Sequence, residues 1–230
     1  ENVLKMAKAR QGTFVSTEKQ FSGRGYAGRE WCNSPCGLMG SWLLSKKSIE
    51  RGPENIQLVS TVAILDTLSV FMNIGLPSHS WVHGSTLEDI GIRVKWPNDV
   101  WLRTSSRIGK LCGVLVEGRT QGDDAKIVLG IGMNKVSVAE LDESIGWNEL
   151  FPESIEELIP VIHASVASML EIHPMIDDYD ADYVLSSIFT SMRMTLSEGF
   201  PTSYGLDNIG GLQTNEGVVR TTGEIQWNWT

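Results

Sequence analysis

Two cations and a carboxylate stand close together in Lys95-Trp96-Pro97-Asn98-Asp99 and the following Gly109-Lys110-Leu111. Such a set suits an anionic ligand such as a nucleotide phosphate, because charge-assisted hydrogen bonds are the strong ones. Ile92-Arg93-Val94-Lys95-Trp96 alternates apolar and basic residues and predicts a half-buried strand. Pro97-Asn98-Asp99 is turn chemistry, with φ preset by Pro and side-chain bonds from Asn and Asp. Val100-Trp101-Leu102 resumes a strand, and Leu111 to Val116 predicts another with Lys110 at its entrance. This would put Lys95, Asn98, Asp99 and Lys110 near strand ends, where α/β sheets usually carry their chemistry. The same residues would also suit a surface hairpin with solvated charges.

Gln20-Phe21-Ser22-Gly23-Arg24-Gly25-Tyr26-Ala27-Gly28-Arg29-Glu30-Trp31 adds a second group. Its glycines match G-x-G-x-x-G, but a dinucleotide reading fails. That motif opens a helix and has an acidic residue about twenty positions on, whereas Asn33-Ser34-Pro35 ends any helix at once and Leu38 to Ser45 reads as a strand. What remains is a glycine loop whose amides can cradle an anion and whose Arg24 and Arg29 can clamp phosphate or carboxylate; a plain surface loop is the alternative. A third group, Lys126 to Asn134, is an apolar strand with Gly130 and Gly132 in its second half. Glycine weakens a strand unless a ligand or another backbone must come close, and a bulge with a structural Asn134 is the other reading.

In this order the three groups resemble the catalytic domain of biotin protein ligases. That family's pattern is roughly Gln-x-x-Gly-Arg-Gly-Arg-x-Gly-Arg-x-Trp-x-Ser-Pro-x-Gly, then Lys-Trp-Pro-Asn-Asp, then Lys-Leu-x-Gly-Ile-Leu-x-Glu, then Gly-x-Gly-x-Asn. The chain has Gln20, Gly23-Arg24-Gly25, Gly28-Arg29, Trp31, Ser34-Pro35, Gly37, Lys95 to Asp99, Lys110-Leu111, Gly113, Glu117, and Gly130, Gly132 and Asn134. The resemblance implies a two-step reaction: biotin and Mg·ATP give biotinyl-adenylate and pyrophosphate, and a lysine of an acceptor domain of a biotin-dependent carboxylase then takes the biotin. It implies Lys110, Asp99 and Arg24 as catalytic residues. Gln20, Gly23, Arg24, Lys110, Gly113, Gly130 and Gly132 would bind biotin, and Arg24, Arg29, Trp31, Lys95, Asn98 and Asn134 would bind ATP. ATP, biotin and magnesium are the implied cofactors. Val136, Val138 and Trp147 would either cover the adenine or pack in the core.

The implied fold is a mixed α/β sheet with covering helices over residues 1–191, followed by a small SH3-like β-barrel domain over 192–230. Helices are expected at Asn2–Arg10, at Glu54–Leu76 with Leu58, Val62, Leu65, Leu68 and Met72 on one face, at Ser154–Ile172 and at Asp177–Thr190, with an irregular insertion at 78–89. Short strands are expected at 194–196, 203–206, 211–213, 218–220 and 224–227. The start at Glu1, directly inside a helix, suggests that some N-terminal sequence is missing.

Composition bounds the alternatives. The 230 residues, 41% hydrophobic and 20% charged, can bury a substantial core. A net charge of −9 argues against general nucleic-acid binding, and no apolar run reaches membrane-spanning length. Three cysteines fit a reducing compartment such as the cytoplasm. Cys32 and Cys36 have no second pair and no H-E-x-x-H occurs, so no metal-ligating set is expected. A monomer or a homodimer is equally consistent with the sequence. The competing functions are a catalytically weak biotin- or nucleotide-binding homologue, and lipoyl or octanoyl transfer.

One departure from the family pattern is informative. Tyr26-Ala27 stands where the family carries arginine after Gly-Arg-Gly. A charge-assisted phosphate contact is worth roughly 1.5–3 kcal/mol, so its loss implies an enzyme that leaks its adenylate or holds it differently. Tyr26→Arg is expected to slow adenylate release about tenfold or more, timed in a chase experiment; an unchanged rate would dismiss the idea.

Overall fold

The structure, a computed structural model, describes residues 12–17, 19–32, 37–44, 53–71, 91–121, 124–139, 141–149, 162, 164, 195–196, 203–207, 211–214, 217–219 and 227–228. The helices expected at 2–10 and 177–190, the insertion at 78–89 and, apart from residues 162 and 164, the helix expected at 154–172 lie outside them.

The centre of the fold is a six-stranded antiparallel sheet. In chain order, the first strands are β1 (Phe14–Ser16), β2 (Gly23–Arg24) and β3 (Glu30–Trp31). They are followed by β4 (Leu38–Leu43), β5 (Ile92–Lys95), β6 (Asp99–Arg103), β7 (Ile108–Gln121) and β8 (Asp124–Met133). The large sheet runs β1-β4-β8-β7-β6-β5, and β2 pairs with β3 apart from it. In β5 and β6 the apolar residues alternate, Ile92 with Val94 and Val100 with Leu102, which fits a pleated surface. Val94, Val100, Leu102, Cys112 and Val114 are all at most 1% exposed, and cross-strand partners share a face, so Val94, Val100 and Cys112 form one row of the core.

The helix α1 (Pro53–Phe71) packs against β7 and β6. Pro53 suits a first helical position, since its missing N–H would be unpaired there anyway. Burial spreads beyond the single expected stripe of Leu58, Leu65 and Leu68 to Ile56, Val59, Ala63 and Ile64. Three hydroxyls are buried with them because each donates to the carbonyl one turn back: Ser60 to Ile56 at 2.6 Å, Thr61 to Gln57 at 2.8 Å and Thr67 to Ala63 at 2.8 Å. The helix therefore carries no unsatisfied side-chain donor into the core at those positions.

Lys110 is the third residue of β7, which is 14 residues long, so it lies near the start of that strand and directly before the apolar run Leu111–Val116, as expected. The strand pairs with β6 over 108–113 and with β8 over 112–121, so it outlasts that apolar run at both ends. Backbone pairing rather than apolar composition sets its length. Lys95 ends β5 and Asp99 begins β6, so the chemistry-bearing residues lie near strand ends as expected, here on the open face of an antiparallel sheet.

Beyond residue 194 the strands β9 (Thr195–Leu196), β10 (Ser203–Leu206), β11 (Leu212–Thr214), β12 (Gly217–Val219) and β13 (Trp227–Asn228) fall close to the expected positions. β10-β11-β12 is an antiparallel meander, and β13 returns to pair with β9. Among the described residues no pairing joins these two sheets into a closed barrel. No described helix is long and apolar enough to cross a membrane.

Leu68 is fully buried in α1. Leu68→Ala is expected to destabilise the fold by about 2–5 kcal/mol, checked by urea denaturation; a loss below about 1 kcal/mol would mean that the helix is not core.

Candidate functional site

Strand register assembles the site. Lys95 of β5 is opposite Asp99 of β6, Asp99 is opposite Gly113 of β7, Gly113 is opposite Gly132 of β8, and Gly132 is opposite Met39 of β4. These residues form one row on the face turned away from the buried Val100 and Cys112. The neighbouring row holds Trp101 opposite Lys110. Residues distant in sequence are thus placed side by side by pairing alone.

The turn between β5 and β6 is held from inside. Trp96 is fully buried and its peptide bond to Pro97 is cis. Asn98 is 8% exposed; its side-chain amide donates to the Val114 carbonyl at 2.6 Å, and its own carbonyl accepts from the Val114 N–H at 2.9 Å. Asn98 therefore clasps the turn to β7. The ammonium of Lys95 lies 4.7 Å from the centre of the Trp101 ring. That of Lys110 lies 2.7 Å from a carboxylate oxygen of Asp99. The Lys110 and Asp99 side chains are 28% and 17% exposed, so the pair is partly desolvated while still open to a ligand.

The β2–β3 hairpin lies over this face. Its turn is closed by Gly25 N–H to Arg29 carbonyl at 2.7 Å and Arg29 N–H to Tyr26 carbonyl at 3.3 Å. Ala27 at φ 55° and Gly28 at φ 75° make the reversal. Arg24 reaches Glu117 of β7, nitrogen to oxygen at 2.9 Å. Trp31 lays its indole on the glycine row: a β-carbon at Gly132 would stand 2.6 Å from the ring, and one at Gly113 3.0 Å from it. The Lys110 ammonium is 5.1 Å from the centre of the same ring, within cation–π range. Gln20 stands beside Gly23, its amide oxygen 3.0 Å from where a β-carbon there would be. At Gly130 a β-carbon would meet only ordinary contacts, 3.6 Å from the Leu115 carbonyl.

The back of the site is a loop after β8. Asn134, 4% exposed, donates its side-chain amide to the Lys110 carbonyl at 3.1 Å. Val138 is 5% and Trp147 1% exposed, so both pack in the core rather than stand open above the site. Arg107, between β6 and β7, bonds Ser137 and the Glu149 carboxylate, the latter at 3.1 Å, and ties the loop across its width. Burial pushes the Cys112 thiol far above its ordinary range, with Lys110 pulling it down and Asp99 raising it further. It is a packing residue of the core face and not a nucleophile at neutral pH.

The structure thus brings Lys95, Asp99, Lys110, Gly113, Gly132, Trp31 and Arg24 to one face. Arg29 stays at the hairpin tip, exposed, with its Nε donating to the Tyr26 carbonyl at 3.1 Å. Asn98 and Asn134 have their side-chain N–H groups engaged by backbone. Sequence reasoning gave no role to Glu117 or Trp101. Glu117 was findable, since it lies at even spacing from Gly113 and so shares its face; Trp101 likewise follows Asp99 by two.

Residues 1–134 match the model of the biotin/lipoate A/B protein ligase family. The bifunctional ligase/repressor BirA of Escherichia coli is 32% identical over 148 residues, which is 62% of this chain and 40% of that protein. The biotin–protein ligase of Homo sapiens is 26% identical over 191 residues, 81% of this chain and 22% of its own length. The chain thus spans less than half the length of these relatives. The solved biotin protein ligase of Aquifex aeolicus in complex with biotin and ATP has a TM-score of 0.69 at 24% identity, covering 99% of this chain and 93% of that one. The ligase of Leishmania major with biotin has a TM-score of 0.56 at 18% identity, covering 96% and 89%. These two likenesses establish the fold.

Gly132→Ala is expected to push the Trp31 ring off the sheet, because the ring is what the new β-carbon meets. Backbone hydrogen exchange in residues 19–32 should then rise about tenfold while that of β4 and β7 stays slow. Unchanged exchange in the hairpin would show that the indole does not depend on the bare glycine.

Proposed function

The chain belongs to the biotin/lipoate A/B protein ligase family, and from that premise we propose that it is an ATP-dependent biotin–protein ligase. The biotin carboxylate attacks the α-phosphate of ATP, forming a mixed anhydride and releasing pyrophosphate. A lysine amine of the acceptor then attacks the anhydride carbonyl, forming an amide, releasing AMP and giving up a proton. The carrying observation is the Lys110–Asp99 pair, 2.7 Å apart on the face bearing Gly113 and Gly132.

The first step brings two anions together. At 4 Å such a repulsion is about 4 kcal/mol at an effective dielectric constant near 20, and cations offset it. Lys110 is placed to neutralise the carboxylate and the phosphate oxygens as the bond forms. Arg24, on the hairpin above, supplies a second, planar cation once it leaves Glu117. In the second step Asp99, beside Lys110, is the carboxylate placed to take the proton of the incoming amine. The hairpin covers the site and keeps water from the anhydride. Trp31 and the glycine row offer flat apolar surface against which a ring can lie.

Magnesium suits this arrangement as an ion carried mainly by phosphate oxygens and water, which is its usual habit. Among the described residues no group of three or more His, Cys, Asp or Glu is gathered as a cage, and Asp99 is the carboxylate of the row that would reach it. The ion would supply neutralisation of phosphate charge. The name of the Paracoccus denitrificans relative, a biotin–[acetyl-CoA-carboxylase] ligase 29% identical over 133 residues, supports an acceptor of the carboxylase biotin-carrier type. The cysteine usage supports a reducing compartment, the cytoplasm.

The test is ATP–pyrophosphate exchange with magnesium, supplied in turn with biotin, lipoate or octanoate. Exchange is expected with biotin alone, and Lys110→Ala should lower it at least about a hundredfold with the fold intact. Exchange with lipoate in place of biotin, or none with any acid, would refute the reading.

A further inference from the structure

Lys110 points to the site only because of an irregularity. Val100 of β6 pairs with Cys112, but the next residue, Trp101, pairs with Lys110, so Leu111 is an extra residue in β7. This is a β-bulge. Cross-strand partners share a face, which puts Cys112 with the buried Val100 on the core face and Lys110 with Trp101 on the open one. In unbroken alternation Lys110, two residues from Cys112, would share the face of Cys112 and Val114, both at most 1% exposed. An ammonium there would be buried among apolar side chains without a partner.

The bulge is gripped from the far side. Lys110 N–H donates to the Glu143 carbonyl at 2.6 Å, and Ile145 N–H donates to the Lys110 carbonyl at 3.2 Å. Residues 143–145 thus continue the sheet beside β7 where β8 has ended, with Ser144 as a parallel bridge partner of Lys110. Asn134 N–H donates to the Leu111 carbonyl at 2.9 Å. Ser144, 3% exposed, fixes this segment by its hydroxyl: it accepts from Val138 N–H at 2.7 Å and lies 3.1 and 3.0 Å from the Val138 and Leu141 carbonyls. Gly109 lets the segment come in, since a β-carbon there would stand 2.8 Å from the Ser144 carbonyl carbon.

We propose that Ser144 is a positioning residue for Lys110, acting through residues 143–145 and the Leu111 bulge. It touches no substrate. The proposal rests on Lys110 being the reactive cation of the function proposed above. Without the hydroxyl, Val138 N–H is left buried and unpaired, the 138–145 loop relaxes, and Lys110 loses its hold beside Asp99.

The experiment measures two things on Ser144→Ala and, as a second variant, on Gly109→Ala, which pushes the same segment from the other side. The first is the rate at which an amine-reactive reagent labels Lys110, mapped by mass spectrometry with Lys95 as internal standard. The second is the biotin-dependent exchange rate. Lys110 labelling should rise about tenfold relative to Lys95 in both variants, the size of one lost buried hydrogen bond, and kcat should fall by a similar factor. A general loosening of the fold would raise Lys95 equally. Unchanged relative labelling of Lys110 in folded variants overturns the positioning role, whatever the activity does. Raised labelling in a protein without biotin-dependent exchange keeps the positioning role and refutes the ligase reading instead.

Discussion

The alternation of a β-strand governs everything else in this molecule. Six antiparallel strands have two faces, one lying beneath α1 and lined by Val94, Val100, Cys112 and Val114, the other carrying Lys95, Asp99, Gly113 and Gly132. A residue's chemistry is decided by which face its parity selects. The core needs apolar residues at one parity, so the charged and the missing side chains collect at the other. Lys110 belongs by simple count with the core, and one inserted residue, Leu111, returns it to the polar side. Bulges beside functional sites re-aim side chains in this way.

Charge follows the same layout. The chain is acidic overall, at −9, yet Lys95, Lys110 and Arg24 gather on one surface. Each is occupied: Lys95 by the face of Trp101, Lys110 by Asp99, Arg24 by Glu117. The pairs keep the cations partly desolvated and oriented without leaving them uncompensated. An anionic ligand therefore competes with carboxylates already in place, and its gain is the difference between the two partners rather than the full attraction. A polyanion such as a triphosphate wins that competition more readily than a single carboxylate.

Much of this was legible in the residues. Lys95, Asp99 and Gly132, singled out in the sequence, meet in one row of the sheet, and the strand pattern at 92–102 and 126–134 matches β5, β6 and β8. The length of β7 was not legible, because its polar end at 117–121 is held by pairing with β8 and not by apolar composition. The engagement of Asn98 and Asn134 by backbone was hidden for a related reason: an amide at a strand end looks the same whether it bonds a ligand or its own chain. The bulge did leave a trace. Cys112 and Val114 are apolar and Lys110 is not, so the alternation breaks between 110 and 112. Gly130 and Gly132 look alike in the sequence, but Trp31 lies against Gly132 and not against Gly130.

That cover has a mechanical side. Two interlocked side chains must turn through their rotamers to part, but at Gly113 and Gly132 the indole meets backbone, with the Lys110 side chain at its margin. Where the glycines lie beneath it, no side chain of the sheet interlocks with the ring. What restrains the hairpin at its other end is Arg24–Glu117, 51% and 30% exposed, a pair that dissolved salt screens. The hairpin is thereby held partly by an apolar contact that dissolved salt leaves in place and partly by an ionic one that it weakens.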